Sequence, residues 1–150
     1  MNYPNLTLTF LIEFQGKYLL IKRLASEKNF PSLWAFPGGK VEEGETAVDT
    51  IRREVKEETN LDLHDEFIPL NSYCFPGSVG MTFLVRATSS LVSIRDCDAH
   101  EWVSNLADLR RFPCIPGIHN HLVHAILAFD KHSWLSLEAF RLSQDKYINR

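Results

Sequence analysis

The 150-residue sequence has few cysteines, no long apolar run and no surplus of positive charge. Its three cysteines, Cys74, Cys97 and Cys114, are odd in number and form no Cys-x-x-Cys pair, which argues against a disulfide framework and a thiolate zinc site. The longest apolar runs, such as LVHAILAF at 122–129, are far shorter than the ~20 residues that cross a bilayer. Because the amino terminus also lacks a basic region followed by an apolar one, we expect an untargeted, soluble, cytoplasmic protein that does not bind membranes.

Charge is distributed unevenly along the chain. The net charge is -3, yet segment 42–58 holds seven acidic and three basic residues, and the rest of the sequence is close to neutral. No basic surface for a nucleic-acid backbone is therefore predicted. The acidity of this one segment requires a local explanation.

The order of secondary-structure elements predicts the α/β class. Strand-like runs at 6–14 and 17–23 flank Gln15-Gly16 and indicate a hairpin, and further strands are expected at 34–36, 67–75, 80–88 and 100–104. Helices are expected after Thr46 and over 118–129, with a shorter one at 133–142. This order predicts a mixed β-sheet between helices, in one domain over residues 1–150.

Three glutamates lie close together on the first of these helices. Thr46 and Asp49 fit a capping box at its start. At about 100° per residue, Glu58 falls about 20° from Ile51, inside the apolar stripe, and Glu54 lies about 60° away, at its edge. Glu57 points further out. The stripe comprises Ala47, Ile51 and Val55.

A carboxylate that faces the core requires a compensating charge. The ordinary interpretation of a Glu-rich helix is a solvated face, and burial of Glu58 argues against it, because an unpaired buried carboxylate is costly. Arg53 can pair with Glu57, but it points away from the stripe. An oxygen-only cluster is typical of a hard divalent cation such as Mg²⁺ or Mn²⁺.

The sequence around this helix resembles a known motif. The sequence from Gly39 to Leu61 is similar to the Nudix box. Five residues separate Gly39 from Glu45, and seven residues separate Glu45 from REVKEETNL at 53–61. The Nudix box has the pattern G, five residues, E, seven residues and R-E-U-x-E-E-x-G-U, where U is aliphatic. One position differs, because Asn60 replaces the glycine after the paired glutamates. Asparagine readily adopts the left-handed conformation that ends a helix, so we expect the cap to be kept.

The resemblance implies a Nudix-type α/β/α sandwich over a core of about 5–128, with a C-terminal extension at 130–150. It implies that Glu54, Glu57 and Glu58 bind divalent cations, with the Gly38 carbonyl as a further ligand. Glu54 and Glu58 are also the candidate bases, and Arg53 and Glu45 hold the box together. The implied cofactor is Mg²⁺, with Mn²⁺ as a substitute.

Activity follows from the same resemblance. Family members cleave a nucleoside diphosphate linked to another group, so the resemblance implies a hydrolase of phosphorus-containing acid anhydrides. An additional acid from a later loop is expected among Asp96, Asp98 and Glu101. The candidate substrate-binding residues are Arg23, Phe36, Gly39, Lys40, Tyr73 and Phe75, and Phe30 and Trp34 are further aromatic candidates for the base ring.

Several alternatives stay open from the sequence. A nucleoside triphosphate pyrophosphohydrolase of MutT type is the first expectation. Pro76, fifteen residues after Leu61, is a feature of ADP-ribose pyrophosphatases, so that substrate class or another nucleotide sugar is the alternative. A non-catalytic nucleotide-binding module is disfavoured because every box carboxylate is present. His119, His121 and His124 lack a thiolate or acidic partner, so zinc is not expected. The chain is expected to be a monomer or a homodimer.

Overall fold

The computed structural model describes residues 5–75, 77–131 and 134–141. Its strands are β1 (Asn5–Phe14), β2 (Lys17–Arg23), β3 (Trp34–Ala35), β4 (Gly38–Lys40), β5 (Leu63–Phe75), β6 (Ser78–Ala87) and β7 (Cys97–Val103). Its helices are α1 (Ala47–Thr59), α2 (Leu106–Leu109) and α3 (Ile118–Lys131). Within the described part, no helix is long and apolar enough to cross a membrane.

The strands form one mixed sheet. The main order is β3-β2-β1-β6-β5, with β4 paired to β1 and β7 paired to β2. Strands β1 and β6 run parallel, and the other pairs are antiparallel. The predicted hairpin between β1 and β2 is confirmed. Gln15 and Gly16 both adopt positive φ, at 51° and 78°, and such angles give a tight turn that matches the twist of the strands.

Helices cover both faces of the sheet, so the predicted α/β/α sandwich is confirmed. On one face Leu8, Phe10 and Ile12 of β1 pack with Ile51 and Val55 of α1. On the other face a second apolar cluster includes Leu11 of β1 and Ile118, Leu122 and Ala125 of α3. The alternation along β1 produces this division, because successive side chains of a strand point to opposite faces.

The observed elements differ from the prediction in three respects, which are two short elements that were not predicted, the starts of two strands, and the C-terminal segment. Two short elements, β4 and α2, were not predicted, because three or four residues carry too little periodicity to be recognised. Strand β5 begins at Leu63 and not at residue 67. Strand β7 begins at Cys97 and not at residue 100, so Asp98 and Glu101 lie within a strand.

The third difference lies in the C-terminal segment, where a helix was predicted over 133–142. Leu135 forms an isolated bridge with Phe67 of β5, and a helical turn follows at 137–141. The side chain of Leu137 is fully buried in the cluster on the α1 face. Residues 132–133 and 142–150, which include the rest of the predicted extension, lie outside the described part.

Candidate active site

Helix α1 begins and ends as its sequence predicts. The Thr46 hydroxyl accepts a hydrogen bond from the Asp49 amide at 3.0 Å, and the Asp49 carboxylate accepts one from the Thr46 amide at 3.0 Å. This reciprocal pair satisfies two amides that the first turn would leave without partners. At the other end Asn60 adopts φ 57° and ψ 18°, the left-handed conformation expected of a C-cap.

The buried face of α1 differs slightly from the predicted stripe. Ile51 and Val55 are buried as expected, but Val48 and Thr59 are also buried while Ala47 is only half-buried. Thr50 is buried on the opposite side of Ile51, so the buried face is wider than the predicted stripe. Glu58 is partly buried, and its Oε2 atom is enclosed.

Arg53 organises the acidic residues at the start of the site. Its guanidinium donates two hydrogen bonds to the Glu45 carboxylate, at 2.7 and 2.9 Å, and one to Glu54 at 2.8 Å. It also donates to the Lys40 carbonyl at 3.2 Å and contacts Glu57 at 3.4 Å. The hydrogen bonds from Arg53 lower the pKa of Glu45 to about 2, and Glu45 in turn raises the pKa of Arg53.

The surroundings of Glu58 raise its pKa, whereas those of Glu45 lower it. Its Oε2 atom is buried and has no hydrogen-bond partner among the described residues. Burial is the main cause that raises the pKa of Glu58 to about 8, and the nearby Glu54 carboxylate raises it further. A hydrogen bond from the Gly38 backbone acts in the other direction but is the weaker effect.

Two glycines bring the backbone close to these carboxylates. A Cβ atom on Gly39 would collide with the carboxyl group of Glu54, and one on Gly38 would collide with the Leu8 carbonyl of β1. A larger residue at position 39 would therefore displace Glu54, and one at position 38 would separate β4 from β1. The glycines are required here by close approach and not by a left-handed conformation, because neither has positive φ.

The donor set fits a hard divalent cation. Glu54, 15% exposed, lies beside Glu58, whose buried Oε2 lacks a partner. A divalent cation between the two carboxylates would supply that partner. Glu57 is 55% exposed and paired with Arg53. Among the described residues no three His, Cys, Asp or Glu side chains already converge on one point. Binding would therefore require these side chains to change rotamer.

The loop before β7 adds one of the three candidate acids. The Glu58 carbonyl accepts a hydrogen bond from the Arg95 amide at 2.9 Å, and the Asp96 charge is close enough to raise the pKa of Glu58. Asp96 adopts φ 60°, a left-handed conformation that aspartate tolerates better than most residues. Asp96, Asp98 and Glu101 are all exposed, but of the three only Asp96 is among the charges that raise the pKa of Glu58. Asp96 is thus the candidate that the fold brings to the glutamates.

The other predicted substrate contacts are distributed over two areas. Arg23, at the end of β2, donates to the Asn29 carbonyl at 3.1 Å and lies 3.5 Å from Glu27. The Lys40 side chain is exposed at the end of β4. Phe36 and Trp34 are buried in the core on the α3 face, whereas Phe30 is 49% exposed.

Tyr73 and the histidines lie on the face of the sheet that α3 covers. The Tyr73 ring occupies the space above Gly80, where a Cβ atom would collide with it, and its hydroxyl is 2.8 Å from the Thr9 hydroxyl. His121 packs against this ring and His119 is exposed. The Phe75 side chain and Pro76, which were among the sequence predictions, lie outside the described part.

Three polar residues on the α3 face were not identified from the sequence as functional candidates. They are Thr9, Asn71 and Thr82. The only local signal is that each polar side chain interrupts an apolar strand pattern, and the pattern does not reveal that the three strands align them.

Comparison with known proteins identifies relatives over most of the chain. The family model for the NUDIX domain matches residues 3–122. The 8-oxo-dGTP diphosphatase of Buchnera aphidicola is 28% identical over 125 residues, which cover 83% of this chain and 93% of that protein. The nucleoside triphosphatase NudI of Enterobacter sp. is 44% identical, but over only 48 residues, 32% of this chain and 34% of its own length.

A solved structure supports the same grouping. The MutT NUDIX hydrolase of Burkholderia pseudomallei superimposes with a TM-score of 0.67 at 25% sequence identity. The superposition covers 81% of this chain and 98% of that one. The similarity therefore extends well beyond the glycine loop and helix α1.

Proposed function

The chain belongs to the NUDIX family of hydrolases that act on phosphorus-containing acid anhydrides, and from this premise we propose that it is a Mg²⁺-dependent pyrophosphohydrolase of nucleoside triphosphates. The products are a nucleoside monophosphate and pyrophosphate. The observation that carries the proposal is the buried, unpartnered Oε2 of Glu58 beside Glu54. Such an arrangement is costly for folding and is explained by cation binding.

The choice of triphosphate rests on the relatives. Those described above are an 8-oxo-dGTP diphosphatase and a nucleoside triphosphatase. The alternative, an ADP-ribose or other nucleotide-sugar pyrophosphatase, rested on Pro76, which the structure does not describe. Hydrolysis of an oxidised guanine nucleotide is not part of the proposal, because the relative named for that activity is only 28% identical to this chain.

Glu54, Glu57, Glu58 and the Gly38 carbonyl are the proposed ligands of the cation. Bound there, Mg²⁺ would neutralise phosphate charge and lower the pKa of the attacking water. Asp96, on the adjacent loop, is the proposed additional acid of the site. Its position next to Glu58 supports this choice over Asp98 and Glu101.

Glu58 is the proposed base, with Glu54 as the alternative. In its ionised form Glu58 accepts a proton from water as the water oxygen bonds to phosphorus and the anhydride P–O bond breaks. Arg53 keeps Glu54 in place through its 2.8 Å hydrogen bond, so we assign Arg53 a positioning role. Arg23, near the end of β2, and Lys40, at the end of β4, would neutralise the phosphate chain.

Residues 1–150 are proposed to form one domain. The described C-terminal segment packs against the sheet through Leu137, which supports its inclusion. A cytoplasmic location and a monomeric or homodimeric state remain predictions.

Product analysis over a panel of substrates tests the proposal. Purified protein is incubated with the nucleoside triphosphates, ADP-ribose, a sugar nucleotide and a dinucleoside polyphosphate, each with Mg²⁺, Mn²⁺ or EDTA. We expect metal-dependent release of pyrophosphate from at least one triphosphate. Preferential cleavage of ADP-ribose would assign the alternative, and cleavage of no compound would reject the enzymatic proposal.

A further inference from the structure

Residues 88–96 connect strands β6 and β7 and lie along the end of helix α1, and we refer to them as the β6–β7 segment. These described residues form no helix or strand of their own. Three of their amides nevertheless donate hydrogen bonds to carbonyls of residues 58–62, which are Thr88 to Asp62 at 2.9 Å, Ser93 to Thr59 at 3.0 Å and Arg95 to Glu58 at 2.9 Å. Because the donor numbers rise as the acceptor numbers fall, the segment runs antiparallel to residues 58–62.

Two of these hydrogen bonds satisfy the end of helix α1. The last carbonyls of a helix have no partner within the helix and need one from outside. The Asn60 amide reaches back to the Lys56 carbonyl, as a left-handed cap normally does. The carbonyls of Glu58 and Thr59 are bound by the β6–β7 segment instead. The segment is therefore part of the cap of α1.

One apolar side chain also fastens the segment to the core. Val92 is half-buried and packs against the apolar cluster on the α1 face, which includes Val55 and Leu61. Its neighbours on both sides are exposed, and Leu91 is 82% exposed. The segment is thus attached to the domain in two ways, by backbone amides and by the side chain of Val92.

The attached part of the segment ends at the candidate active site. Asp96 directly follows Arg95, whose amide is held by the Glu58 carbonyl. Glu58 is the residue whose buried Oε2 has no partner in the described part of the chain. A free connection of this length would let the Asp96 carboxylate occupy many positions, and restricting it would cost conformational entropy. The hydrogen bonds to the end of α1 supply this restriction before any ligand binds.

We propose that Val92, Ser93 and Arg95 position Asp96 beside Glu58, Val92 through its apolar contact and the other two through their backbone amides. The inference rests on the proposed function, since it assumes that Asp96 and Glu58 act on one cation. A cation that contacts both carboxylates favours the attached segment, and by linkage the attachment strengthens cation binding to the same degree. The three residues are positioning residues and take no part in bond cleavage.

Hydrogen exchange of the unaltered protein tests this coupling without catalysis. Calorimetry first gives the dissociation constant of Mg²⁺, and amide exchange is then followed by NMR in EDTA and at about ten times that concentration of Mg²⁺. We expect the amides of Ser93 and Arg95 to exchange about tenfold more slowly with the cation, because it must leave before the segment detaches. The Phe140 amide, bound to the Ser136 carbonyl at 3.1 Å in the C-terminal segment, is the control and should not change.

Two matched pairs of variants test the attachments separately. Ser93→Pro removes the amide that binds the Thr59 carbonyl, at a residue whose φ is negative as proline requires, whereas Ser93→Ala keeps the amide. We expect Ser93→Pro to bind Mn²⁺ about tenfold more weakly and to lower kcat more than it raises KM, while Ser93→Ala matches the wild type. Val92→Ala should speed exchange of the Arg95 amide about fivefold, and Leu91→Ala should leave it unchanged.

The outcomes distinguish this inference from the enzyme assignment. Cation binding with unchanged exchange of Ser93 and Arg95, or with equal slowing at Phe140, would overturn the inference and leave hydrolysis unaffected. Equal Mn²⁺ affinities of Ser93→Pro and Ser93→Ala would overturn it as well. Cation-dependent protection of Ser93 and Arg95 in a protein that hydrolyses no nucleotide would support the inference and reject the enzyme assignment. Absence of any cation binding would reject both.

Discussion

The carboxylates near the two ends of helix α1 differ in their hydrogen-bond partners. Near the start, Glu45 accepts two hydrogen bonds from Arg53 and further ones from the Glu42 amide and the Thr50 hydroxyl. Near the end, Glu58 buries an oxygen that has no partner in the described part of the chain. Satisfied carboxylates contribute to the scaffold, whereas an unsatisfied one requires an explanation, which here is the proposed cation.

We therefore expect substitutions near the start of the helix to change mainly stability, and substitutions near its end to change mainly activity. The start of the helix is held by a capping box and an arginine cluster, which need no other component. The buried oxygen of Glu58 is costly in the free protein, and the proposed cation would offset this cost when bound. Five predictions test this comparison.

Removal of the Glu58 charge should have the largest effect. Glu58→Gln keeps the shape of the side chain but removes the proposed base and a cation ligand, so kcat should fall by roughly 10²- to 10⁴-fold. Steady-state assays with the best substrate measure this loss. Glu43→Gln, in the exposed loop before α1, should retain wild-type activity, and equal turnover by Glu58→Gln would refute the mechanism.

Arg53→Met should destabilise the start of the site. It removes hydrogen bonds to Glu45, Glu54 and the Lys40 carbonyl, and a loss of about 2 kcal/mol in the free energy of unfolding is expected after allowance for partial exposure. Urea unfolding measures it. The neighbouring Arg52→Met is the control, and because its ion pairs are exposed it should cost less. Equal losses would mean that Arg53 has no special structural role.

Stability should respond to pH with opposite signs at the two carboxylates. The raised pKa of Glu58 favours its protonated form in the folded state, so metal-free protein should lose stability as the pH rises from about 4.5 to about 8. The lowered pKa of Glu45 contributes stability that is present above about 4.5 and is lost as the pH falls toward 2.

Thermal unfolding in EDTA over this range, repeated with Glu58→Gln, separates the two contributions. The loss between pH 4.5 and 8 should be absent in the variant and reduced by added Mg²⁺. A variant with the same pH profile as the wild type would contradict the burial argument.

Gly39→Ala should weaken cation binding more than it weakens folding. The added methyl group collides with the flexible end of Glu54, which can move aside but then leaves its position beside Glu58. We expect about tenfold weaker Mn²⁺ binding, measured by calorimetry or electron paramagnetic resonance, a scale typical of disturbed metal sites. Gly44→Ala, at positive φ in the open loop, should instead lower the melting temperature and leave Mn²⁺ affinity unchanged.

Asn60→Gly should have the smallest effect. Asn60 already holds the left-handed conformation, so glycine removes only a small backbone penalty and the change should stay below about 1 kcal/mol. Activity should be unchanged, because the side chain lies at the helix end and not among the carboxylates. A large change in kcat would assign Asn60 a role in the site.

Local patterns predicted much of this structure. The β1–β2 hairpin, the capping box and the Asn60 cap follow from a few adjacent residues, because turns and helix ends are determined by short-range sterics and hydrogen bonds. Short strand β4 could not be predicted, because its three residues become a strand only by pairing with β1. The predicted position of Glu58 on the buried face of helix α1 was approximately right.

The sequence by itself determined the fold class and the spacing of the box, and it predicted the role of the glutamates. These depend on residue identity and helical periodicity, which act over a few residues. The tertiary structure alone decided that Asp96, and not Asp98 or Glu101, approaches Glu58, and that Thr9, Thr82 and Asn71 form one row. Contacts of that kind are fixed by the register between strands far apart in the chain, and register is a property of the packed sheet.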